Sequence, residues 1–257
     1  MKLAGPILAL ALGAACGGSV PSTGESTVLV DESLRADLET LRGARVFFGH
    51  HSVGANILEG LASLAREAGV ELTLGGGPVG ENQRPLAKFE DFARHAESAA
   101  AQGEQLLAMK LCYVDFTPES DPAALVEAYA AAVERARRAR PGVIIVHVTP
   151  PLCARPGDLK SKFKRLLGSA VWEDGANLRR MEFREQLLAR FPGEPVFDLA
   201  ALEATRPDGT REEHEVGGRQ VPMLWPGYTS DGGHLNETGK RLAARRFAQT
   251  LANALRR

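Results

Sequence analysis

Val143-Ile144-Ile145-Val146-His147-Val148 decides how this chain folds. A near-continuous run of branched residues cannot alternate between a wet and a dry face, so both faces of the strand are expected to be covered, as in a parallel sheet. Helical spacing surrounds it. Upstream, residues 122–139 carry Leu125, Tyr129, Ala132, Val133 and Ala136, and downstream a helix is expected from about 176 to 191.

The alternation continues toward both termini. A strand at 44–48, ended by Gly49, precedes a helix at 53–68 with Val53, Ile57, Leu61 and Leu64 on one face. A second strand is expected at 70–74, broken by Gly75-Gly76-Gly77-Pro78. A helix with Leu86, Phe89, Ala93 and Ala96 then leads to a third strand at 106–114, and a strand at 196–199 and a helix at 237–255 close the series. Residues 31–42, with Leu34, Leu38 and Leu41 in line, make a short helix packed across the body. The expected fold is α/β, a three-layer doubly wound sandwich with a mainly parallel, flavodoxin-like five-stranded sheet. One segment breaks the rhythm: 211–216 and 219–224 read as arms of a hairpin about Gly217-Gly218. It is either a surface elaboration or, with Trp225 and Tyr228, a wall of a site just before Asp231.

Composition narrows the function. The 257 residues are 44% apolar and 25% charged, which fits one folded domain and excludes a disordered tail or a disulfide scaffold. Lys plus Arg is 31 and Asp plus Glu is 32, so a formal charge of -1 supplies no global field for holding nucleic acid or an anionic membrane. The first residues stand apart. Met1-Lys2 and the apolar stretch through Leu12 are too short to span a bilayer but suit an export signal, 1–15. Leu12-Gly13-Ala14-Ala15-Cys16 resembles a bacterial lipoprotein signal, in which Cys16 becomes the lipidated first residue, followed by a flexible tether over 16–30 and the domain proper at 31–257. A conventional cleaved signal is the alternative, and either one puts the domain outside the cytoplasm.

Chemistry gathers near the two ends of the domain. At the exit of the first strand, His50-His51-Ser52-Val53-Gly54 places a serine at the start of a helix, beyond the carboxyl end of a parallel strand where open sheets bind ligands. Ser52 is an N-cap or a nucleophile backed by helix-terminal amides. Near the other end, Ser230-Asp231-Gly232-Gly233-His234-Leu235-Asn236 carries a carboxylate and a histidine in one glycine-containing loop entering the last helix. A histidine can take a serine proton while the carboxylate fixes its tautomer.

These two blocks resemble the SGNH, or GDSL-like, hydrolase superfamily, whose last block is Asp-x-x-His and whose first is Gly-Asp-Ser followed closely by glycine. His50 and His51 stand here where Gly and Asp are expected, while the aromatic strand, Ser52 and Gly54 fit. The resemblance runs from about residue 45 to 257. It implies Ser52 as nucleophile, His234 as general base and Asp231 as its orienting partner, with no cofactor. It also implies an oxyanion hole made of a glycine amide and an asparagine. Gly75, Gly76, Gly77 or Gly80 could supply the first. The usual asparagine is absent from Cys112-Tyr113-Val114-Asp115, which leaves Asn82 or Asn56 as substitutes and Asp115 as a pocket residue. The expected substrate is a small ester or an acylated carbohydrate of the envelope or extracellular space.

Other polar residues have competing readings. His50 and His51 could line the pocket. Lys110 could reach the site from the end of its strand or snorkel at a sheet edge. His147 reads as a core histidine, and Cys112 and Cys153 as buried thiols or, if export allows it, a disulfide. His50, His51, Asp231 and His234 include zinc-ligand types but match no recognised local metal motif, so a metal-dependent hydrolase is a minor alternative. A noncatalytic carbohydrate-binding or envelope-interaction protein on the same fold is the larger one. The leader carries its own test. Cys16→Ser is expected to abolish lipid attachment and leave the domain folded, and mass measurement of the native amino terminus checks it, since an unmodified terminus downstream of residue 16 excludes the anchor.

Overall fold

The computed structural model describes residues 29–169 and 171–257, so the expected leader, Cys16 and most of the tether lie outside the described residues. Five parallel strands, β1 (Val46–Gly49), β2 (Gly75–Gly77), β3 (Leu106–Met109), β4 (Ile144–Val148) and β5 (Val196–Phe197), form one sheet in the order β2-β1-β3-β4-β5. This is the expected flavodoxin-like order, with the switch point between β1 and β3.

Strand alternation distributes the core between two layers. Val46 and Phe48, Leu106 and Ala108, and Val146 and Val148 face α1 (Glu32–Arg42), α2 (Val53–Ala68) and α8 (Glu237–Leu255). Phe47, Leu107, Met109 and Ile145 face α3 (Pro85–Glu97), α4 (Pro122–Ala139) and α6 (Trp172–Arg190). Because each central strand is buried on both sides, its sequence shows no polar face. His147 belongs to the second layer. It is fully buried, stacked on Phe191, and its two ring nitrogens meet the Tyr129 hydroxyl and the Glu194 carboxylate, each at 2.9 Å.

Several boundaries differ from expectation, each for a local reason. The second strand is Gly75–Gly77, not 70–74. A Cβ on Gly76, whose φ is +136°, would lie 2.2 Å from the Phe48 carbonyl oxygen, so the glycine run that reads as a strand breaker is what lets β2 lie against β1. The third strand stops at Met109 because the chain turns into a 3-10 helix at Tyr113–Asp115, with the Asp115 carboxylate accepting from the Cys112 amide at 2.6 Å. β5 stops at Phe197, where Asp198 caps the short α7 (Leu199–Glu203). Cys112 and Cys153 are buried free thiols, so the disulfide option does not hold. The hairpin is present as β6 (Glu213–Val216) and β7 (Arg219–Pro222), antiparallel about Gly217-Gly218. Two helices were absent from the sequence reading: the short α7, and α5 (Leu159–Leu166), which is capped by Asp158 and buries none of its residues. Among the described residues no helix is long and apolar enough to cross a membrane.

The first layer depends on the close approach of α2 and α8. A Cβ on Gly60 of α2 would stand 2.5 Å from the Lys240 carbonyl oxygen of α8. Gly60→Ala improves helix propensity by about 1 kcal/mol, but overpacking against backbone costs about 1–3 kcal/mol. Net destabilisation is the expected result, read as a lower urea midpoint with an unchanged m value.

Candidate active site

The candidate residues Ser52, Asp231 and His234 meet beyond the carboxyl ends of the strands. β1 passes through His50 and His51 into Ser52, which begins α2 in an unusual backbone conformation, φ 51° and ψ −110°. A non-glycine residue held there is strained, and a strained residue between strand and helix lifts its side chain out of the turn. Ser52 makes no side-chain cap bond. Its Oγ instead lies 2.5 Å from Nε2 of His234.

His234 is held from its other side. Nδ1 lies 2.6 Å from Asp231 Oδ2. A carboxylate only accepts, so Nδ1 carries the proton and Nε2 is free to accept from Ser52. Asp231 Oδ1 takes the backbone amides of Gly233 at 2.9 Å and His234 at 2.8 Å. Desolvation pushes the Asp231 carboxyl upward, but the bonds from the His234 ring and from these two amides outweigh it and hold the group well below the ordinary carboxylate range. The loop is pinned at three places. Ala154 donates to the Gly232 carbonyl at 2.8 Å, Leu235 donates to Asn56 Oδ1 at 3.2 Å, and Asn236 caps α8 through the Gly239 amide at 3.0 Å. The Tyr113 ring meets His234 edge-on at 5.6 Å.

The site is open. The His234 and Asp231 side chains are 43% and 56% exposed. A cavity of about 850 Å³ does exist, but it lies between α7, α8 and the start of α1 and its walls include none of Ser52, Asp231 and His234. Tyr228 is buried at that cavity and packs against Trp225, so these two aromatics support the base of the loop.

The oxyanion candidates are each engaged in structure. Gly75, Gly76 and Gly77 pair with β1, and the Gly80 amide donates to Asp91 at 2.6 Å. Asn82 accepts from Lys88 at 3.0 Å, and Asn56 receives the Leu235 amide as above. Asp115 is no pocket wall. It is buried, ion-paired to the buried Lys88 at 2.6 Å and bonded to the Gln83 amide at 2.8 Å, which locks the loop after β2 to the end of β3.

The neighbours of Ser52 are similarly assigned. His51 Nε2 donates to the Val79 and Gly80 carbonyls, at 3.0 and 2.9 Å. His50 tucks under the first turn of α2, where a Cβ on Gly54 would be 2.3 Å from its own Cβ. Burial, the Lys110 charge and the His51 charge lower His50 to about 4, so it is neutral near pH 7. Lys110 does not snorkel: β3 is an interior strand, and the lysine is fully buried with Nζ donating to the Leu111 carbonyl at 3.1 Å. Among the described residues no group of three or more His, Cys, Asp and Glu side chains is placed to hold a metal ion.

The sequence reading missed the buried polar frame under the loop. Asn177 of α6 clamps Cys153, accepting from its amide at 3.0 Å and donating to its carbonyl at 2.7 Å. Arg180, fully buried, donates to the Tyr113 carbonyl at 2.6 Å. Glu203 accepts from the Leu152 amide at 2.6 Å. The available signal was a helix with Asn177 and Arg180 where an apolar stripe belongs.

No protein-family model matches the sequence, and no curated protein matches it. Solved structures do match. One, provisionally described as a platelet activating factor from Streptococcus pneumonia, aligns over 87% of this chain and 92% of its own at 14% identity and a TM-score of 0.51. Another, provisionally described as a lipolytic protein of the G-D-S-L family from Desulfitobacterium hafniense, aligns over 81% of this chain and 99% of its own at 15% identity and a TM-score of 0.49. The likeness is one of fold alone.

Glu203 generates a pH prediction. Burial pushes it up to about 8, against an ordinary value near 4.5. A carboxyl whose folded value is raised contributes stability that is complete below the unfolded value and is lost as pH rises through the folded one. Unfolding midpoints are therefore expected to fall between pH 5 and pH 9 in the parent, and to fall less in Glu203→Gln, which has no proton to lose.

Proposed function

We propose that this protein is a serine esterase working through an acyl-enzyme, and that its substrate is a small ester or an acyl group carried on an envelope or extracellular carbohydrate. The observation that carries the reading is the unbroken chain from Asp231 Oδ2 through His234 to Ser52 Oγ, with contacts of 2.6 and 2.5 Å. The SGNH-like fold supports hydrolase chemistry in general. The exposure of the pair supports a substrate presented on a large molecule, because an open site accepts a bulky alcohol that an enclosed one would exclude.

Ser52 Oγ attacks the ester carbonyl carbon while His234 Nε2 takes its proton. The carbonyl oxygen becomes an oxyanion near the start of α2, where the helix dipole favours negative charge. Collapse breaks the bond to the leaving alcohol, which receives the proton from His234 and departs. Water, deprotonated by His234, then attacks the acyl-serine, and the acid leaves as Ser52 recovers its proton. Asp231 stays ionised and holds the Nδ1–H tautomer throughout. Its lowered value keeps the carboxylate charged well below neutral pH. The contribution Asp231 makes to stability is present above the ordinary carboxylate value and is lost only when pH falls through the lowered one.

Ser52→Ala is expected to abolish labelling by a fluorophosphonate probe and to lower kcat/KM for short-chain esters or acetylated glycans by at least about four orders of magnitude, with the fold intact by circular dichroism. His234→Ala loses a comparable factor, and the double variant little more, since the two act as one unit. Asp231→Asn retains on the order of ten to a hundred times more activity than Ser52→Ala. Undiminished hydrolysis by folded Ser52→Ala refutes the nucleophile. A parent protein with neither labelling nor hydrolysis favours a binding protein.

A further inference from the structure

Among the described residues, α5 buries none of its own side chains against the fold. Leu159, Phe163 and Leu166 stand at i, i+4 and i+7 on one stripe of the helix and Leu167 follows at its C-cap, and they are 85%, 61%, 81% and 64% exposed. So much contiguous apolar surface on one short helix is unusual for a side that faces water. The helix is nevertheless held in place. From its inner side Arg165 makes a two-pronged bond to Asp174 of α6, at 2.6 and 2.9 Å, and donates to the Pro156 carbonyl at 2.9 Å. The outward aim of the stripe is therefore built in.

The charges around the stripe identify what it meets. At about 100° per residue, Lys160 and Lys162 fall on its two borders and Lys164 follows beyond Lys160. All three are exposed, none pairs with a carboxylate among the described residues, and residues 159–168 contain no acidic side chain. An apolar stripe bordered by unpaired lysines suits an interface with hydrocarbon below and anionic headgroups at its rim, where lysine stems reach upward and their ammonium groups stay hydrated. The formal charge of -1 gives no long-range attraction, so the attraction resides in this patch.

We propose that α5 is a membrane-docking helix that seats its apolar stripe in an anionic phospholipid surface. This goes beyond the hydrolytic reading and does not depend on it. The helix leaves the β4 exit loop, and Ala154 of that loop is bonded to Gly232 of the loop bearing Asp231 and His234. Docking thus brings membrane to a helix whose leading loop is bonded to the loop of the proposed site.

The full chain is used throughout, so any contribution from the amino-terminal segment is common to all variants. Co-sedimentation is measured with vesicles of phosphatidylcholine alone and of phosphatidylcholine with phosphatidylglycerol. The parent is expected to bind the anionic vesicles more tightly. Combined Leu159→Gln, Phe163→Gln and Leu166→Gln should weaken partitioning into them by at least about tenfold, and combined Lys160→Gln, Lys162→Gln and Lys164→Gln should remove the preference for phosphatidylglycerol. Phe163→Trp reports the site itself: brominated lipids should quench its fluorescence beyond the quenching seen in the parent. Parent-like binding by both combined variants, or no added quenching at position 163, overturns the proposal. So does a soluble oligomer in sedimentation velocity that the glutamine variants dissociate, which would assign the face to a second copy of the chain.

Discussion

Two segments 182 residues apart must meet within hydrogen-bond reach for Ser52 to touch His234, and most of the fold is arranged to satisfy that demand. Ser52 is carried between an interior strand and the helix it feeds directly into. The histidine rides on a loop with little core of its own. Its position is imposed from outside by Asn56 of α2 on one side, Ala154 after β4 on another, and the capped start of α8. Backbone strain at Ser52 is tolerable because α2 is locked against α8 through Gly60, and α8 begins where the histidine loop ends. The same helix pair thus fixes both halves of the contact.

Beneath this contact lies an interior that is unexpectedly polar. Lys88 with Asp115, Lys110, Asn177, Arg180 and Glu203 are all buried near the carboxyl ends of the strands. Most serve irregular backbone: the Cys112, Gln83, Leu152 and Cys153 amides have no strand neighbour and would be orphaned without side-chain acceptors. Such groups add little net stability, since each must be desolvated, but removing one strands its partners. They exchange regular pairing for loops of defined shape at the one end of the sheet where shape matters.

What was legible in the sequence follows from this division. β1, β3 and β4 were readable because burial on two faces leaves a run of branched and aromatic residues, and α8 because its apolar spacing is long. The proposed triad residues stood out because Asp231 and His234 share a short loop whose geometry is set locally. β2 was misplaced because three glycines carry no β signal of their own, and the requirement for them comes from Phe48, far away in sequence. The roles of Asp115 and Lys110 were not legible either, since each is defined by a residue on another element. α5 escaped because helices are usually recognised by the face they bury, and this one buries none.

The two edges of the sheet have a consequence for the molecule in company. β2 presents three residues without side chains and β5 only two residues. A neighbouring chain seeking to add a strand finds too few backbone groups to form a ladder and no side chains to set its register. Sheet extension is blunted at both ends by brevity. A short, side-chain-poor edge thus gives a second copy little backbone to pair with.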